Sequence, residues 1–201
     1  MKHWNKDQLC SMQIKTTGPD PFKHEIYEIA ILPVNHMLEP YMLPLDIMIK
    51  PEFPERIDFI TRKRERAAIM QALDVGQDRY HAQDLFKMWV ETMNLAEFRY
   101  GYHKIIPLGY QFHIAYMYLV RWLEIEIYNE FFNAWPVDLA SVARYKNDRS
   151  GSHGEVMFFG KIFLKYMASV FNIKVEQNTA LQEAIAMAKI YKELLSRGIF
   201  A

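Results

Sequence analysis

The sequence holds a single cysteine, Cys10, in 201 residues. One thiol closes no internal disulfide and builds no cysteine zinc cluster, so both kinds of scaffold are excluded and a reducing compartment is expected. An excess of one charge sign is also missing. The 24 Lys+Arg residues balance the 24 Asp+Glu residues, for a formal net charge of zero. That balance argues against holding nucleic acid by bulk positive charge, though it leaves room for a local basic patch. No apolar run reaches the length of a membrane span: the richest stretch, 112–128, is interrupted by Arg121, Glu124 and Glu126. The start, Met1-Lys2-His3-Trp4-Asn5-Lys6-Asp7, carries charge with no long apolar region or small-residue cleavage site behind it. A soluble, cytoplasmic protein is expected. With no repeat, no low-complexity tract and no Pro/Gly/Ser linker, 1–201 reads as one domain.

What the chain does have is apolar mass. Hydrophobic residues make up 51% and aromatics 14%, enough to bury a core without staples and too much for a disordered or collagen-like chain. The 12 methionines are scattered among apolar neighbours, so they read as core filling rather than a binding groove.

Three strands are predicted first. Residues 9–16 form one, stopped by Gly18-Pro19-Asp20-Pro21, which is turn chemistry. Residues 25–34 are too continuously apolar for a surface strand and are placed centrally. Leu43, Leu45, Ile47 and Ile49 then alternate, putting one face of a third strand on a core. Short connections suggest an antiparallel meander. Helical stripes follow: Leu85, Met88, Trp89 and Met93 within 82–95, then Phe112, Tyr116, Leu119, Val120 and Leu123. Further stripes run through Phe158, Phe159, Ile162, Phe163, Tyr166 and Met167, and through Leu181, Ala184, Ile185, Ala188 and Tyr191. Residues 104–108 and 135–139 are predicted as short strands between them. The order implies an α/β fold with a mixed sheet.

Two polar stretches bear on function. Residues 57–75 carry Arg62, Lys63, Arg64 and Arg66 among three acids, and read as a solvated helix or loop face rather than a nucleic-acid patch. Residues 150–154 contain Ser150, Ser152 and His153 but follow no strand and have no acid at a recognisable spacing, so a flexible surface loop is expected instead of a Ser/His site or phosphate loop.

Three short runs carry a resemblance. They are Gln13-Ile14-Lys15-Thr16-Thr17-Gly18 with Glu25-Ile26-Tyr27-Glu28-Ile29-Ala30 after it, Pro107-Leu108-Gly109-Tyr110-Gln111-Phe112-His113-Ile114-Ala115, and Asn178-Thr179-Ala180-Leu181-Gln182-Glu183-Ala184. In order and spacing they resemble the three motifs of the proofreading-type (DEDD) 3′–5′ exonucleases: Asp-x-Glu-Thr-Thr-Gly, Gly-x-Asn-x-x-Phe-Asp and His-x-Ala-x-x-Asp-Ala. The resemblance covers nearly the whole chain. It implies a ribonuclease-H-like mixed sheet, an antiparallel three-stranded meander plus parallel strands, flanked by helices. Ile-Pro-Leu-Gly, Asn147-Asp148 and the single-domain length are most similar to stand-alone, phage-encoded members, which implies the host cytoplasm.

The catalytic positions depart from the pattern. The first-motif acids fall on Gln13 and Lys15, the second-motif Asp on Ala115, the general-base His on Asn178 and the last Asp on Glu183. The family's tyrosine variant would need Tyr where Thr179 stands. The family's reaction uses two divalent cations held by carboxylates. Here those positions bring one negative charge, Glu183, and one positive, Lys15. A catalytically dead site is expected, with no cofactor; Mg²⁺ or Mn²⁺ enters only if that reading fails. Asp138 matches an acid often seen at its position and is read as the cap of the helix that follows.

Three function classes stay open. The first is an inactivated exonuclease domain serving as an interaction or structural subunit, with a protein partner or homo-oligomer. Its anchors would come from Tyr116, Tyr118, Trp122, Tyr128, Phe131, Phe132 and Trp135, most of them expected in the core. The second binds single-stranded nucleic acid in the former groove through Lys15, Tyr110, Gln111 and His113. The third keeps weak metal-dependent exonuclease activity through Asp138 and Glu183. Lys15 is expected either to pair with Glu183 or to contact a phosphate.

Overall fold

The computed structural model describes residues 7–93, 97–98, 101–154, 156–175 and 178–197. Its first strand, β1 (Gln8–Thr16), pairs antiparallel with β2 (Ile26–Pro33), which pairs antiparallel with β3 (Leu45–Met48). Between β1 and β2 the chain turns at Gly18, where a Cβ would lie 2.5 Å from the His24 ring, so no larger residue fits without a shift. Every residue of β2 is buried, which is why its sequence shows no polar face. The edge strand β3 does alternate, with Leu45 and Ile47 buried and Asp46 exposed. Leu43, grouped with that alternation in the sequence, stands 83% exposed ahead of the strand.

Helices α1 (Phe59–Arg64), α2 (Arg66–Val75) and α3 (Arg79–Thr92) come next. Asp58 and Asp78 cap α1 and α3, accepting from the N–H of Thr61 and from those of Tyr80 and His81. The basic stretch thus forms two solvent-facing helices, as its charge pattern predicts. A short pairing of β4 (Glu97–Phe98) with β5 (Gly101–Tyr102) precedes β6 (Ile105–Gly109). Strand β6 joins β1 in parallel, and β7 (Val137–Asp138) joins β6 in parallel, giving the order β3-β2-β1-β6-β7. A parallel pair needs a crossover, supplied between β6 and β7 by α4 (Phe112–Leu123) and α5 (Ile125–Phe131). Helices α6 (Leu139–Ser152), α7 (Leu164–Val170) and α8 (Ala180–Ser196) complete the chain. The mixed sheet of meander plus parallel strands is the one the sequence implies.

Side chains alternate across β1 and divide the core in two. Cys10 and Met12 pack with Phe86, Leu119, Leu123 and Phe132, burying α3, α4 and α5 on one face of the sheet. Leu9 and Leu108 pack with Leu139, Met167, Ala184 and Met187, burying α6, α7 and α8 on the other. Phe86 stacks on Phe132 with ring centroids 5.8 Å apart and meets Trp122 edge-on. Burial pushes the Cys10 thiol up, so it is a packing residue and not a nucleophile.

Five local expectations are corrected. The inner face of α3 is Ala82, Phe86 and Val90, a clean i, i+4 stripe, while Met88 is 62% exposed. On α4, Tyr118 and Trp122 take the inner positions and Tyr116 faces solvent. Only two residues of 135–139 pair as a strand, because Leu139 already opens α6. Residues 158–163 are not helical. Asn147 holds Phe159 in extended chain, its Nδ2 donating to the Phe159 carbonyl and its Oδ1 accepting the Phe159 N–H, both at 2.8 Å. Finally, 150–152 end α6 rather than form a loop, and Ser150 is buried.

Candidate functional site

The residues of β1 that alternate with Cys10 and Met12 point toward α8, so this strand–helix contact sets the site. Ser11 Oγ donates to the Ala184 carbonyl at 2.6 Å and locks the first turns of α8 onto the strand. One position further along that face, Gln13 Nε2 donates to Glu183 Oε2 at 2.6 Å. Beyond it, Lys15 Nζ lies 2.6 Å from Glu183 Oε1. Each oxygen of the Glu183 carboxylate thereby receives one donor from β1. The group is largely closed to solvent: the Lys15 and Glu183 side chains are 11% and 9% exposed. Of the two alternatives for Lys15, the structure places it on Glu183.

Glu28 completes the cluster. It is the register partner of Lys15 across the β1–β2 pair and is buried. Its Oε1 accepts the N–H of Ala180 at 2.7 Å, tying β2 to the first residue of α8, while Oε2 has no hydrogen-bond partner. Burial holds the Glu28 carboxyl above its ordinary range, against the opposing effect of the Ala180 N–H. The sequence signal for it was a charged residue inside an otherwise apolar strand.

Asn178 sits just ahead of α8, whose N-terminus is capped by Thr179 Oγ1. Its Nδ2 donates to Glu65 Oε2 at 2.6 Å, and Glu65 Oε1 accepts from Arg64 Nε at 2.9 Å. The junction of α1 and α2 is thus tied to the rim of the site, through a glutamate that sequence reasoning did not single out.

The other predicted positions do not converge on Glu183. Ala115 is half-buried on α4 and packs into the core shared with α3. Tyr110 donates its hydroxyl to the Ile162 carbonyl at 2.6 Å, and burial raises its pKa. Gln111 occupies the left-handed region at φ 50° where β6 turns into α4, and His113 is exposed on that helix. Asp138 caps α6: Oδ1 accepts the Ala140 N–H at 3.2 Å and Oδ2 the Ser141 hydroxyl at 2.9 Å. Among the described residues no group of three or more His, Cys, Asp or Glu is placed to hold a metal ion.

The sheet order and the helix-on-strand site give the chain the ribonuclease-H-like fold of the 3′–5′ exonucleases. Cell-death related nuclease 4 (CRN-4) matches with a TM-score of 0.68 and 13% identity, over 96% of this chain and 64% of that one. E. coli Exonuclease I, solved with a dT13 oligonucleotide, matches with a TM-score of 0.62 and 14% identity, over 95% of this chain and 41% of that one. The nuclease domain of 3′hExo, a DEDDh family member bound to rAMP, matches at 0.60 and 16%, over 96% and 93%. The chain spans less than two thirds of the first two proteins. Its sequence matches no protein-family model and no curated protein.

Proposed function

We propose that this is a catalytically inactive 3′–5′ exonuclease-like domain that serves as an interaction or structural subunit. The observation that carries the reading is the Gln13–Glu183–Lys15 group. Two-cation phosphoryl chemistry needs carboxylate oxygens free to take metal, with enough negative charge to balance it. Here both oxygens of Glu183 are occupied by N–H donors, and the adjacent cation neutralises its charge. The Lys15 ammonium has no lone pair for a metal, the Gln13 amide nitrogen is spent on Glu183, and Gln13 Oε1 accepts the Ile14 N–H at 3.1 Å. The residues present therefore do not fit the two ions that the resemblance implies.

The missing base supports the same reading. Asn178 stands where a water-activating histidine is expected, and a neutral amide takes no proton near neutral pH. The alternative acid, Asp138, is committed to its helix cap. The interaction role is supported by apolar side chains in solvent on neighbouring helices, with Phe59 78%, Ile60 69% and Met70 58% exposed.

A second reading, binding of single-stranded nucleic acid without cutting, is favoured by one observation. The run Arg62, Lys63, Arg64 and Arg66 lies beside the site, joined to it through Glu65 and Asn178. Against it, Lys15 and the Tyr110 hydroxyl are already taken.

The deciding experiment is digestion of a 3′-labelled single strand with Mg²⁺ and with Mn²⁺, beside a Glu183→Ala preparation. No degradation by either protein is expected. Degradation that vanishes in the variant overturns the proposal. A salt-dependent mobility shift of the uncut strand would move the assignment to the second reading.

A further inference from the structure

An open groove of about 530 Å³ lies where α1 meets α2. Its floor is Ile57 and Ile69, 7% and 2% exposed, which pack with Tyr27 and Ala72 and are fixed from that side. Its walls stand in solvent: Phe59 and Met70 are 78% and 58% exposed, and Leu73 is half-buried. Arg66, Ile69, Met70 and Leu73 follow one another at i, i+3, i+4 and i+7, so one face of α2 runs along the groove for about two turns. An apolar stripe of this spacing normally packs on a neighbour, and here its Met70 side is left uncovered.

The rim carries one sign of charge. Arg62, Lys63 and Arg66 line it, and among the described residues no carboxylate does. The neighbouring acids are turned elsewhere: Asp58 to the cap of α1, and Glu65 to Asn178 and Arg64. Lys63 and Arg66 have no ion-pair partner among the described residues. Arg62 is oriented by its Nη2, which donates to the Pro54 carbonyl at 2.7 Å and leaves other N–H groups for a carboxylate. An occupant must therefore bring apolar side chains and negative charge close together. A nucleobase brings ring N–H and carbonyl groups that the apolar side chains of the floor and walls do not pair, which makes its burial costly. A bilayer presents a flat face, and the groove is concave. An acidic amphipathic helix meets both demands, with aliphatic side chains in the groove and Asp or Glu along its flank.

We propose that this groove docks an acidic amphipathic helix of a partner protein. This partner class rests on the reading of the domain as an interaction subunit, and docking there uses none of the Glu183 group.

The test is fluorescence anisotropy of a labelled amphipathic peptide, with leucine at i, i+3, i+4 and i+7 and glutamate flanking them, titrated with the full chain. A counterpart peptide carries lysine in place of each glutamate. The acidic peptide should bind in a saturable way that salt weakens, and the lysine peptide should bind about tenfold more weakly. Lys63→Glu with Arg66→Glu should reverse that order, which a merely structural role of these exposed residues does not do. Phe59 and Met70 lie in solvent, so Phe59→Ser with Met70→Ser should weaken the acidic peptide about tenfold and leave the urea midpoint unchanged. No binding of either peptide, equal binding of both, or an order that the charge reversal leaves in place overturns the docking site. So does displacement of the peptide by a single-stranded oligonucleotide, preference for phosphatidylserine vesicles, or self-association of the chain that the serine variants abolish. The digestion assay separates this site from the reading it rests on. Cutting that vanishes in Glu183→Ala strikes the inactive reading and leaves peptide binding standing, while no cutting with no peptide binding strikes the groove alone.

Discussion

Lys15 and Glu183 form a pair whose members are each closed from solvent by the other's element. Taking two charges out of water is costly, and their attraction recovers that cost only while both are present. Lys15→Ala or Glu183→Ala alone should therefore destabilise the protein by about 3–5 kcal/mol, measured by urea unfolding. Lys15→Met with Glu183→Leu removes both charges and should recover most of the loss. Two neutral single variants would show that the pair is not coupled. Glu28 gives a prediction in pH. Its carboxyl is raised, chiefly by burial, so the folded state holds the proton more tightly than the unfolded one. Stability then falls as pH climbs from the ordinary glutamate value to the folded one, and stays lower above it. Glu28→Gln keeps an oxygen for the Ala180 N–H and removes the titration. It should stabilise the protein at neutral pH by about 1.4 kcal/mol for each unit of the raise, with no gain in acid below the ordinary glutamate range. An equal gain at both pH values would mean that the carboxyl is not the cause.

At the scale of elements, the legible features were those set by period and turn chemistry. The strands of the meander, the buried β6 and helix α8 all follow from apolar spacing, because each buries a face whose pattern is visible in a short window. What could not be read was fixed from a distance. Residues 158–163 have a helical spacing, yet the Asn147 amide, twelve positions earlier, supplies both hydrogen bonds that a strand neighbour would give Phe159. The phase of α3 was missed for a related reason. Its ring partner Phe132 comes from α5's end, and only the fold brings the two together. The site was readable as positions and half readable in its bonding: the Lys15–Glu183 pair was one of two expectations for Lys15, while nothing in the spacing of Gln13 and Glu183 says that the amide shares the same carboxylate. Asp138 was legible as a cap, and the structure keeps it there. Asp138→Ala should cost about 1 kcal/mol, the usual loss for an N-cap, in thermal unfolding. A much larger loss would assign Asp138 a role beyond the first turn of α6.

For the molecule as a whole, the same exchange of charge changes how the fold depends on ions. A site with four carboxylates repels itself until cations bind, and ligands that bind only the folded state raise its stability. In this chain the Glu183 group is neutral as built, with a lysine already serving as the counter-charge. The melting temperature should therefore be the same in a chelator, in Mg²⁺ and in Mn²⁺. A converted chain carrying Gln13→Asp and Lys15→Glu should behave differently. It sets two further acids against Glu183 without the ammonium, so it should melt lower in chelator and recover with Mn²⁺, because the cation then does what Lys15 does now. If the unaltered protein gains several degrees from Mn²⁺, it holds a metal site that the Glu183 geometry does not provide, and the inactive reading fails with it. If the converted chain is indifferent to Mn²⁺, those two positions and Glu183 do not make a metal site, and the motif register on which the reading rests is wrong.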